Sequence, residues 1–174
     1  MLLSVGTRLF KLHLLHSSSP VATAAPSSLR IVCISGTHNS QPDLPPGDIL
    51  IHAGDLTENR SLDEVQAQLD WLSSQPHLHK VVIAGNHDVL LDENFLEKHP
   101  ERRYGATRTV HELDWGPVHY LLDSSIALEF GRSEFNPDDR AKDYIKSGDK
   151  RTLVIYGSPR TPQDGVSTRS STRG

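Results

Sequence analysis

The sequence predicts an α/β fold, a sheet of buried strands with a helix packed across it. Three observations carry this. The runs IVCI, ILI and VVI, within residues 30–35, 48–52 and 80–84, are continuously apolar and rich in β-branched side chains, the pattern of strands covered on both faces. One well-patterned helix lies between the second and third runs. Strand, helix, strand in that order calls for a βαβ crossover, which brings the ends of both strands to one edge of the sheet.

The elements follow in order. Residues 1–29 read as a leader, either disordered or targeting. Residues 1–42 contain no Asp or Glu, apolar residues alternate loosely with Arg8, Lys11, His13 and His16, and 17–28 is rich in Ser, Ala and Pro. An acid-free, Ser-rich stretch of this kind suits an organellar transit peptide as well as a simple extension. The folded unit is 30–163. Its strand candidates are 30–35, 48–52, 80–84, 108–113, 118–122, 126–130 and 152–156. The segments 108–113 and 118–122 flank a turn with Gly116 and Pro117 and predict a hairpin.

Ser61 and Glu64 form an S-x-x-E capping box. Leu62, Val65, Leu69 and Leu72 then recur on one helical face, and Gln75–Pro76 ends the helix. A shorter helix is expected over 93–99. Residues 164–174 are low-complexity and nearly lack apolar side chains, so they cannot add a strand to a core.

A chain of 174 residues suits one domain. Its net charge of -4 gives no general attraction to nucleic acid or acidic membranes. The single cysteine, Cys33, excludes an internal disulfide and suits an intracellular, reducing compartment. It reads as a small buried hydrophobe. No apolar run reaches the ~18–20 residues of a membrane span. The expected compartment is the cytoplasm, with mitochondrial import the alternative that the leader raises.

The chemistry-bearing residues sit at strand ends. The second run ends in Gly54-Asp55, the third in Gly85-Asn86-His87-Asp88, and the first in Gly36-Thr37-His38. Ligands on the turns after parallel strands are where open α/β sheets build their sites. Asp55 can bridge cations, His38 and Asn86 offer neutral nitrogen and oxygen donors, and His87 can face a phosphate or protonate a leaving oxygen. Taken singly, Asp55, Asn86 and Asp88 are ordinary turn formers. His52, His77, His79, His99, His111 and His119 read as structural or solvated.

In combination, His38-Asn39-Ser40, Gly54-Asp55 and Gly85-Asn86-His87-Asp88 resemble successive blocks of the calcineurin-like metallophosphoesterases. The segments ISGTHNS, PPGDILIHAGDLT, VVIAGNHD and LVIYGSPRTPQ are similar to the metallophosphoesterase-domain-containing branch. The resemblance implies a sandwich of mixed β-sheets flanked by helices. It also implies hydrolysis of a phosphoric ester, on a small molecule or a phosphoprotein, with two divalent ions (manganese, iron, zinc or magnesium). Carried over residue by residue, His38, Asp55 and Asn86 are metal ligands and His87 acts on the phosphate. Gly36 departs from the pattern, standing where the family has its first Asp. No late His and no Gly-His-x-His block follow residue 163. The expectation is therefore a member missing its C-terminal part and depleted in ligands, holding no stable metal pair. The alternatives are a non-catalytic binding scaffold or a non-functional truncated isoform.

Overall fold

The computed structural model describes residues 2–5, 8–15, 29–103, 105–130 and 151–159. The predicted tail lies outside them. Eight strands, numbered in chain order, make two four-stranded sheets. The first sheet is built of β3 (Ile31–Ile34), β4 (Ile49–His52), β5 (His79–Val82) and β6 (Val118–Tyr120), in that order and all parallel. The second takes β1 (Leu2–Val5), β2 (Arg8–Leu15), β7 (Ser124–Phe130) and β8 (Arg151–Ser158). Its order is β1-β2-β8-β7, and all its pairs are antiparallel.

The segment read as a leader therefore carries two strands, with β2 running along β8 from Leu9↔Ser158 to Leu15↔Thr152. Phe10, Leu12 and Leu14 alternate with Lys11 and His13, a period of two that an open strand edge accepts.

Helix α1 (Leu62–Ser74) starts with the predicted capping box: the Ser61 side chain accepts from the Glu64 amide and the Glu64 carboxylate from the Ser61 amide. Helix α2 (Glu93–Lys98) is capped by Asp92, which accepts from the Phe95 amide.

The expected hairpin of 108–113 with 118–122 is not formed. Val110–Glu112 is a 3₁₀ turn, and β6 instead lies parallel to β5. The reason is a second capping box, in which the Glu112 carboxylate accepts from the Thr109 amide at 2.8 Å. Arg108 is also drawn to Asp63 on α1. Local side-chain bonds thus outcompete a ladder that the apolar pattern alone favours.

Alternation along the parallel strands divides the core. Ile49, Ile51, Val81 and Ile83 face the second sheet and meet Leu128, Phe130, Leu153 and Ile155. Leu50 and Val82 belong to the cluster of Leu62, Val65, Leu69 and Leu72 on α1, with Val32 and Ile34 packed against it. Each such side chain contributes about 1.5–3 kcal/mol through burial. The sheets approach so closely at Gly157 that a Cβ there would lie 2.7 Å from both Ile83 Cγ2 and Leu121 Cβ. Cys33 is half-buried on the edge strand β3, and burial pushes its thiol up.

Candidate functional site

Because β3, β4 and β5 run parallel, the loops that follow them emerge at one rim. The first two are zipped together by backbone bonds. Gly36 N–H donates to Gly54 O at 2.9 Å, His38 N–H to Asp55 O at 3.1 Å, and Asn39 N–H to Leu56 O at 2.8 Å. The rim is also where left-handed backbone concentrates. Gly36, His38, Asn39, Gly54 and Asp55 have φ of 63, 45, 66, 89 and 57°. A residue other than Gly held this way costs on the order of 1–3 kcal/mol, and such strain gathers at functional sites.

The side chains meet across the loops. His87 N–H donates to Asp55 Oδ1 at 3.1 Å. The His38 and His87 rings stand edge to face, with centroids 4.6 Å apart. Each ring has its Nδ1–H on a backbone carbonyl: His38 on Thr57 O at 3.2 Å and His87 on Glu58 O at 3.1 Å. In both neutral rings this leaves Nε2 as the nitrogen with the lone pair. Asn86 is exposed on the same loop, between Gly85 and His87. His38, Asp55 and His87 are thus brought together, and Asn86 is carried to the same rim by its neighbours.

The structure gives Gly36 a definite place in this group. A Cβ built on it would meet one neighbour within 4 Å, His38 Nε2 at 3.9 Å. The position faces that imidazole nitrogen and carries no donor of its own.

Behind the rim lie Asp88, which taken singly reads as a turn former, and His52, which reads as structural or solvated. Asp88, 1% exposed, accepts at Oδ1 from the amides of Leu56 and Thr57 and from Thr57 Oγ1, at 3.0, 3.0 and 3.1 Å. Its Oδ2 accepts from the Gly85 amide at 2.8 Å. His52, fully buried, accepts the Gly54 amide at Nδ1 (3.1 Å) and so donates from Nε2 to Thr37 Oγ1 (2.9 Å). The first loop is further tied to α1, where Asn39 Nδ2 donates to Glu64 Oε1 at 2.6 Å. Burial would raise the Glu64 carboxyl, but bonds from Asn59, Asn39 and Ser61 outweigh it and hold the group below its ordinary value. Asp88 is the last letter of the third block, but its partners are backbone amides and one hydroxyl, so the letters do not show that it ties two loops together.

Among the described residues no three His, Cys, Asp or Glu side chains cluster as a metal site. The rim carries two imidazole rings, one carboxylate and one amide side chain. A separate hollow of about 530 Å³ lies beyond β6, against Leu91, Trp115 and Tyr120, and contains none of these residues.

An α/β sandwich with a phosphoesterase-type rim on the loops after its parallel strands defines the class, and comparison with known proteins agrees. The family model for calcineurin-like phosphoesterases matches residues 29–167, and the chain belongs to that family. It is 46% identical over 146 residues to metallophosphoesterase domain-containing protein 1 of Homo sapiens and to its Mus musculus counterpart. The match covers 81% of this chain and 40% of each relative. It is also 41% identical over 137 residues to a protein of Emericella nidulans named probable rhamnogalacturonate lyase C, covering 79% of this chain and 11% of that protein. The chain thus spans well under half the length of these curated relatives. No described helix is long and apolar enough to cross a membrane.

Proposed function

We propose that the rim is a phosphoric-ester hydrolase site, acting on a phosphomonoester or phosphodiester of a small molecule or phosphoprotein, with turnover lowered by Gly36. The observation that carries this reading is the meeting of three loops at one point, where His87 bonds Asp55 and packs edge-on against His38. His38 Nε2, the Asp55 carboxylate and the Asn86 amide oxygen would hold a divalent cation (manganese, iron, zinc or magnesium). Such an ion, when bound, polarises the phosphoryl oxygen and makes water a nucleophile at neutral pH. His87 is the group that meets the phosphate. Its Nδ1–H is spent on Glu58 O, so Nε2 points its proton, when the ring is charged, at the departing oxygen. Asp55 fixes the His87 backbone and thereby the reach of that ring.

The test uses the full chain with added manganese and bis(p-nitrophenyl) phosphate. Turnover that falls by at least about tenfold in Asp55→Ala is the expected result, and no turnover by the parent chain overturns the reading. Gly36 favours a second reading, a scaffold that holds phosphate without cleaving it. Phosphate binding without hydrolysis would select that reading.

A further inference from the structure

We infer that Asp88 is a positioning residue, the clasp that holds the loop carrying Asp55 against the loop carrying Asn86 and His87. The inference rests on the hydrolytic reading above for its consequence in catalysis, and on geometry alone for its structural content.

Asp88 is buried to 1% exposure and closes the third loop on itself through the Gly85 amide. It reaches across to the second loop through Leu56 N–H, Thr57 N–H and Thr57 Oγ1. These partners are neutral donors of the backbone or of a hydroxyl, so both oxygens must accept. Thr57, fully buried, closes the circle, since its hydroxyl also stands 2.9 Å from His87 O. The single proton of that hydroxyl therefore serves Asp88 or the His87 carbonyl, and either choice ties the same two loops. The contact this clasp sets is the bond from His87 N–H to Asp55 Oδ1. An Asn at 88 keeps the volume but turns an N–H₂ toward amide donors, which repels where the carboxylate attracted.

The test compares Asp88→Asn with Leu69→Ala, a core change in α1 that touches neither loop, in the full chain at a temperature where both are folded. The first readout is nuclear magnetic resonance without metal or substrate. Asp88→Asn should shift the His87 amide proton upfield and remove the cross-peak between the His38 and His87 rings, while Leu69→Ala leaves both in place. Thr57→Val, which takes away the hydroxyl and leaves every backbone donor, should move the His87 amide in the same direction by less. It decides the matter if Asp88→Asn does not fold. The second readout is phosphodiester turnover, expected to fall about 10–100-fold in kcat with KM little changed. A silent parent chain removes the hydrolytic reading and leaves the resonance arm to judge Asp88. An unmoved His87 amide in folded Asp88→Asn, or in Thr57→Val, overturns the inference.

Discussion

The two ends of the parallel sheet both bury polar groups, and they treat them differently. At the end where β3, β4 and β5 finish, Asp88 and His52 sit at 1% and 0% exposure, bonded both within their own loops and across to neighbouring ones. At the other end, His77 is 1% exposed and Lys80 7%. His77 Nε2–H donates to Pro45 O at 3.1 Å, but Nδ1 is buried with no hydrogen-bond partner. Burial pushes both the His77 ring and the Lys80 ammonium below their ordinary values. The difference teaches what each end is for. The rim uses buried polarity to fix the relative positions of loops. The opposite end leaves one buried ring nitrogen, His77 Nδ1, unmatched.

The largest way to break this contrast is Asp88→Ala. It strands several buried donors at once, and a loss of about 4 kcal/mol in unfolding free energy is expected, measured by urea titration. A loss under about 1 kcal/mol would mean the rim is no better built than the opposite end.

Next comes Gly36→Asp. The left-handed φ of 63° makes any side chain there cost about 1 kcal/mol, with Asp among the better tolerated. The new carboxylate would stand beside His38 Nε2, and manganese affinity by calorimetry should rise by at least about tenfold. Full recovery of a relative's hydrolytic rate by this one change is not expected, because it adds a single donor.

The smallest effect sharpens the other side. The folded His77 ring holds its proton less well than its ordinary value of 6.5, chiefly through burial and against the bond to Pro45 O. The unfolded chain therefore binds that proton first. The ring's contribution is fully present above pH 6.5 and is lost as the pH falls through that value toward the lower folded one. His77→Gln should flatten the fall in stability between about pH 7 and pH 5, and an unchanged slope would mean the ring is not the buried neutral group described.

Much of this was legible in the letters. Continuous β-branched runs marked β3, β4 and β5, and a capping box with a single apolar face marked α1, because both are written in residues close along the chain. The same capping logic operates at Thr109 and Glu112 against an apolar pattern, and the expected hairpin is absent for that reason. The leader's alternation was equally local, but whether it becomes a strand depends on an edge supplied by β8, some 140 residues on.

By itself, then, the sequence determined the family, the parallel order of the central strands and the residue types at the rim, since motif letters and hydrophobic period are properties of short stretches. Tertiary structure alone decided that His87 bonds Asp55, that Gly36 faces the His38 nitrogen, and that Asp88 and His52 hold the loops. The bonds of Asp55 and Asp88 join segments 32 residues apart through backbone amides, and a backbone amide is the same group under every letter of the sequence.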